Sequence, residues 1–231
     1  MKFSTLTVCS LLVAAPVFAE PAMMKEKPAA PMMKEPEATP AARLGTLAPN
    51  TGLAVGTQIP KLSGKDLDGK EVSLASLHKS GPILIAFYRG GWCPFCNAEI
   101  HSLTTAFPEF QKRGITPVAI SVDTPDNESK TKALYSIPFP VISDSDAAIL
   151  EAFHVVNAVD EKQLAALKGY GIDLAKSSGK AHHKIAIPAY FLVDKSGVIL
   201  WAHSDTDYKV RPTSAQLLTA VDAALAHKSM K

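Results

Sequence analysis

Residues 90–96 read Gly-Gly-Trp-Cys-Pro-Phe-Cys, and the two cysteines three apart are the strongest chemical signal in the chain. If Cys93 opens a helix, its thiol faces unpaired backbone N–H groups and the positive end of the helix dipole, which favour thiolate over thiol. Arg89 adds a fixed positive charge four residues earlier. Thiols at this spacing can close a Cys93–Cys96 disulfide, so one attacks a substrate and the other resolves the mixed disulfide. Cys93, at the helix mouth, is expected to be the exposed nucleophile and Cys96 the deeper, resolving thiol. Pro94 fits the first helical turn, where a missing N–H costs nothing, and it stiffens the loop. A purely structural disulfide would close too short a loop to stabilise much. Zinc would need two further ligands from His101, His154, His182, His183 or His203, so no metal and no cofactor is expected. His182 and His183 read as solvated loop residues.

The surrounding pattern supplies the elements that would hold such a motif. Pro82 to Tyr88 is a continuous apolar run, as in a strand buried on both faces, and it leads directly into the motif. Ile100, Leu103, Phe107 and Phe110 then recur at helical spacing up to Gly114, with Pro108 expected to kink the helix. A second buried strand follows at Thr116 to Val122, and a polar helix at about Asp126 to Tyr135. Beyond them lie a short strand at Phe139 to Ile142 and a short helix at Ala147 to Phe153. Ile185 to Val193 and Val198 to Ala202 flank Asp194-Lys195-Ser196-Gly197 as a hairpin. Thr213 with Gln216 forms a capping box for a last helix through Leu217, Leu218, Val221 and Leu225. The order predicts an α/β fold, a central mixed β-sheet flanked by helices. Residues from about 157 to 183 do not fit this alternation and read as an insertion beside the site. Within it Asp160 to Lys168 looks helical, and Ser177 to Lys180 looks like a loop.

The N-terminal fifth is different material. Residues 1–19 read as a signal peptide: Lys2, an uncharged apolar run, then Val17-Phe18-Ala19 before Glu20. Cleavage there removes Cys9 and leaves only two of the three cysteines. The protein is accordingly expected to be exported, periplasmic or secreted. Residues 20–50 repeat Pro, Ala, Met, Lys and Glu, with Met-Met-Lys-Glu at 23–26 and again at 32–35, and read as a disordered tether. A soft-metal role for its thioethers is the alternative to a low-complexity spacer. Residues 51–231 suffice for one domain. A net charge of +2 without a basic stripe argues against nucleic acid as a partner.

Segments along this domain resemble the peroxiredoxins, the alkyl hydroperoxide reductase/thiol-specific antioxidant (redoxin) family of the thioredoxin-like superfamily. They are Val55 to Pro60 through Asp68 to Leu74, Phe87-Tyr88, Ile120 to Asp123, Phe139 to Asp144 and Phe191 to Ile199. Tyr170 to Leu174 and Asp205 to Tyr208 are similar to a branch carrying Cys-x-x-Cys. The resemblance implies a thioredoxin-like fold with a peroxiredoxin-type N-terminal extension. In that family a Pro-x-x-x-Thr-x-x-Cys pattern places the peroxidatic cysteine, which falls here on Cys96, with Glu99 matching a following acid. The Thr position is Cys93, however, the Pro position is Arg89, and the activating arginine falls on Pro188. Those replacements resemble thioredoxin instead: Trp92-Cys93-x-x-Cys96, and Pro188 where that fold keeps a cis-proline facing the disulfide. Thioredoxin's buried acid falls on Phe87, leaving Glu99 or a water as proton acceptor. Trp92 and Tyr208 read equally well as ordinary packing.

The function this implies is an antioxidant thiol–disulfide oxidoreductase whose substrate is a protein or small-molecule disulfide, re-reduced by an unidentified thiol donor. The alternatives are a peroxidase, in which Cys96 attacks hydrogen peroxide or an alkyl hydroperoxide and Cys93 resolves, and a binding module without turnover. Sequence leaves the oligomeric state open.

Overall fold

The structure, a computed structural model, describes residues 33–229. The signal-peptide reading and residues 20–32 of the tether lie outside them. In chain order the elements begin with β1 (Glu37–Ala38), a 3-10 turn (Ala41–Arg43), β2 (Ser63–Lys65), β3 (Glu71–Ser73), α1 (Leu74–Lys79), β4 (Ile83–Phe87) and α2 (Pro94–Lys112). There follow β5 (Thr116–Ser121), α3 (Pro125–Tyr135), β6 (Val141–Ser143), α4 (Ala148–Ala152), β7 (Val156–Ala158), α5 (Glu161–Gly169) and α6 (Leu174–Ser178). The chain closes with β8 (Lys184–Ala186), β9 (Ala189–Val193), β10 (Ile199–Ser204), β11 (Val210–Arg211) and α7 (Ser214–Ser229).

A seven-stranded mixed sheet runs β10-β9-β4-β5-β6-β2-β3, with β4, β5 and β6 parallel and the flanking strands antiparallel. This is the expected thioredoxin-like α/β arrangement. The central strand β4 is buried on both faces because every side chain on it is apolar. Ile83, Ile85 and Phe87 enter one core, while Leu84 and Ala86, followed by Tyr88, enter the other. Helices α2 and α7 cover the second face; α4, α6 and the antiparallel pair β7–β8 cover the first. The strand order places the carboxyl end of β4 at the centre of the sheet, and the cysteine motif leaves from there.

Several expectations need correction. The run 185–193 is two strands in different sheets rather than one. Pro188 has no N–H to continue a ladder, so β8 pairs outward with β7 and only β9 joins the central sheet. Residues 177–180 are not all loop, since α6 reaches Ser178 before Gly179 ends it in the left-handed region. Helix α2 contains Pro108 within its length. The capping box at α7 forms reciprocally: Gln216 N–H donates to Thr213 Oγ1 at 3.2 Å, and Thr213 N–H to Gln216 Oε1 at 2.9 Å.

The larger correction concerns the tether, because residues 33–50 are held on the domain. Strand β1 pairs in parallel with β11, Thr39 is buried, and Gln216 Nε2 donates to the Thr39 carbonyl at 2.7 Å. Further along, Gly45 lies against the Trp201 ring, and Ala48 N–H donates to Ser204 Oγ at 2.8 Å. Backbone groups make most of these bonds, and their pairing does not depend on the apolar, β-branched residues the segment lacks.

Candidate active site

Cys93 is the N-cap of α2 and Pro94 the first helical residue, so the motif opens the helix as its spacing requires. Both cysteines are free thiols, the reduced form of the couple. The expected difference in exposure is absent: Cys93 is 1% exposed and Cys96 0%. The cysteines share an apolar cluster with Phe95, which packs edge-on against Tyr208, and Trp92 packs against both cores. What distinguishes the two sulfurs is electrostatic. Cys93 is lowered to about 6, first by the hydrogen bond from the Cys96 thiol, then by the Arg89 charge and the Cys96 backbone N–H, against an opposing penalty from burial. Cys96 is pushed well above its ordinary value, chiefly by burial and by the Cys93 sulfur beside it.

Arg89 reaches Cys93 Sγ with Nη1 at 3.8 Å. Its guanidinium is clamped between two rings, 4.0 Å from the Tyr208 centroid and 5.0 Å from that of Trp92. Tyr208 and Trp92 thus do more than fill space: they aim the charge at the sulfur.

Glu99, expected with water as a candidate proton acceptor, is committed to other partners. Glu99 is buried with both oxygens engaged, Oε2 by Arg211 Nε at 2.8 Å and Oε1 by the Tyr190 hydroxyl. A different acid lies behind the motif. Asp123, just past β5, is 2% exposed and accepts the Gly91 N–H on Oδ2 at 2.8 Å. Its Oδ1 and the Trp92 Nε1 are both buried near the Gly90 Cα, without a hydrogen bond of standard geometry. Burial raises Asp123 to about 7 and the Cys93 charge adds to this, while the Gly91 and Trp92 N–H groups hold it down. A second carboxyl, Glu128, accepts the Tyr88 hydroxyl and the Ser121 Oγ (2.6 Å), and burial and Asp123 raise it to about 8. Ser121 Oγ links the two acids, since it also accepts the Asp123 N–H at 3.0 Å.

Two glycines make this approach possible. Gly90 has φ +144°, and a Cβ there would sit 2.8 and 2.9 Å from the Asp123 oxygens; one on Gly91 would strike Thr131 Oγ1. The sequence signal for Asp123 was its place at the end of a buried strand, where an acid has no packing role.

Arg211 was missed altogether. It is fully buried, bonded to Glu99, with Nη2 3.8 Å from Cys96 Sγ. β11 carries it, and β1, cut from the supposed tether, pairs alongside. An arginine therefore does face the cysteine pair, although the aligned position holds Pro188. That proline is a further correction: no peptide bond among the described residues is cis. Pro188 lines the groove next to Arg89 and Tyr208, and its carbonyl accepts the Asp205 N–H at 3.2 Å. His182 is tied down structurally, bonded to the Ser145 carbonyl and the Lys184 N–H. His203 is buried in the core between Tyr190 and Trp201.

A thioredoxin-like sheet with a dithiol at the amino end of its first long helix defines a thiol oxidoreductase. Comparison with known proteins narrows the class. Residues 55–202 match the AhpC/TSA family, and the chain belongs to that family. It is 30% identical over 106 residues to the thiol-disulfide oxidoreductase ResA of Geobacillus thermodenitrificans, covering 46% of this chain and 60% of that protein. It is 27% identical over 163 residues to a Mycobacterium tuberculosis protein assigned to the peroxiredoxins, covering 71% of this chain and 90% of that one. Among solved structures, peroxidoxin BcpB of M. tuberculosis superposes with a TM-score of 0.59 at 18% identity, over 76% of this chain and 97% of that chain. The structural likeness is one of fold.

Proposed function

We propose that the protein is an exported dithiol–disulfide oxidoreductase in which Cys93 attacks and Cys96 resolves. The observation that carries this reading is the division of labour between the sulfurs: Cys93 lowered to about 6 beside Arg89, and Cys96 kept protonated against it. The Cys93 thiolate attacks one sulfur of a substrate disulfide, the S–S bond breaks, and one substrate thiolate leaves. Cys96 then loses its proton, displaces the second substrate thiolate from Cys93, and closes the Cys93–Cys96 disulfide. The substrate gains two electrons and the dithiol loses two; a thiol donor restores it. Asp123, balanced near neutrality behind the motif, takes up a released proton.

Arg211 favours a second reading, peroxide reduction at Cys96, because a guanidinium 3.8 Å from Sγ suits a thiolate facing an oxidant. Against it stand the complete burial of Cys96, its raised thiol, and the cysteine at the threonine position. Trapping separates the two. Cys96→Ser should capture a mixed disulfide on Cys93, and Cys93→Ser should be inert toward disulfides. Rapid formation of a sulfenic acid on Cys96 in Cys93→Ser, with nothing ever captured on Cys93, would establish the peroxidase instead. Export rests on residues 1–19, and amino-terminal sequencing of the mature protein at Glu20 tests it.

A further inference from the structure

A groove of about 490 Å3 is lined by Val159, Leu167, Ile185, Pro188 and Tyr208, together with Arg89, whose Nη1 lies 3.8 Å from Cys93 Sγ. Pockets of this size hold ligands far larger than a peroxide. Two cations, Arg89 and Lys209, belong to this lining, with the Lys209 Nζ 5.8 Å from the Tyr208 ring centroid. Across the Phe95–Tyr208 pair, the Lys34 Nζ lies 5.3 Å from the Phe95 centroid.

Among the described residues none of these three cations has a carboxylate within ion-pair distance. Every other arginine, by contrast, is paired: Arg43 with Asp205, Arg113 with Glu109 and Asp222, Arg211 with Glu99. The one acid in the groove, Asp207, turns its Oδ1 back to cap the Lys209 N–H at 3.0 Å. Lys34 is placed there by the segment read as tether, through its N–H bond to the Pro94 carbonyl at 3.3 Å.

We infer that the substrate is an acidic disulfide, one whose S–S bond is flanked by carboxylates. Arg89, Lys209 and Lys34 receive the carboxylates, and the Val159–Leu167–Ile185 wall receives the apolar remainder. The inference rests on the dithiol–disulfide reading above. Cys93 attacks the near sulfur, the carboxylate-bearing thiolate leaves, and Cys96 displaces the second, with the electron count already given. Unpaired cations beside a reacting sulfur raise the encounter rate with anions and repel cations, and salt weakens both effects.

The test mixes reduced protein with three small disulfides: dithiodipropionate (anionic), hydroxyethyl disulfide (neutral) and cystamine (cationic). Each rate is divided by that of dithiothreitol with the same disulfide, which removes intrinsic reactivity. The expected order is anionic, neutral, cationic, with about tenfold between the extremes at low salt and a much smaller spread at high salt. In Lys34→Ala/Lys209→Ala, where both side chains are exposed, the ratio of anionic to neutral rates should fall severalfold. Glutathione disulfide and a longer acidic peptide disulfide then identify the source: whichever reacts faster marks a small-molecule or a polypeptide substrate. Equal normalised rates, or cystamine fastest, would overturn the inference while leaving the redox reading intact. No reaction with any of the three would fail the redox reading itself, and the charge preference with it.

Discussion

Replacing Cys96 by Ala and, separately, by Ser isolates the group that contributes most to the Cys93 thiolate. The largest influence on Cys93 is the hydrogen bond from the Cys96 thiol; the Arg89 charge comes after it. A hydrogen bond to a charged group is worth about 1.5–3 kcal/mol net, and one pH unit corresponds to about 1.4 kcal/mol, so losing the donor should raise Cys93 by roughly 1–2 units. From about 6, Cys96→Ala therefore moves the thiolate titration to roughly 7–8, whereas Cys96→Ser keeps an O–H donor and stays near the starting value. Thiolate ultraviolet absorbance and the pH dependence of alkylation both read this, and each variant has only one thiol in the domain. The sign follows directly: a lowered thiol reacts at lower pH, so at mildly acidic pH Cys96→Ala alkylates more slowly than Cys96→Ser. Identical titrations for the two variants would refute the reasoning, because the donor would then contribute nothing and Arg89 with the helix terminus would account for the whole shift.

Truncation past Thr39 removes the β1–β11 pairing and the Gln216 bond, at about 1 kcal/mol net for each of a few hydrogen bonds. Urea unfolding should register a loss of about 2–3 kcal/mol, while shortening only to residue 32 should register none. Glu128, raised from 4.5 to about 8, keeps a proton in the folded chain that the unfolded chain has lost. Its contribution to stability is accordingly present at low pH and lost as pH rises through about 8. Glu128→Gln should gain in melting temperature relative to the parent as pH rises across that window; a pH-independent difference would contradict the assignment. Gly90→Ala puts a methyl against the Asp123 oxygens at a backbone angle that side chains rarely adopt, and should lower both melting temperature and disulfide reactivity. Unchanged values for both would show that the motif loop tolerates a Cβ.

The dithiol motif, the fold class and most element positions are legible in the residue order alone, because these depend on local spacing. Two cysteines three apart must share one helical turn whatever packs around them. The apolar run at Ile83–Phe87 and the helical spacing after it leave little choice of partner elements. Thr213 and Gln216 cap their helix through contacts three residues apart. What surrounds the sulfurs was decided by tertiary structure, because it joins residues far apart in the chain. Arg211 reaches Cys96 across 115 positions, and Asp123 meets Gly91 across 32. Neither is marked by spacing, and the position where the family resemblance expects an arginine holds Pro188. Thr39 and Lys34 look like spacer by composition, yet backbone bonds hold both on the domain, Thr39 N–H to the Arg211 carbonyl of β11 and Lys34 N–H to the Pro94 carbonyl beside the cysteines. The burial of Cys93 is likewise not legible in the sequence, since Tyr208, far along the chain, joins the motif's own Trp92 and Phe95 in its apolar cluster only in the folded protein.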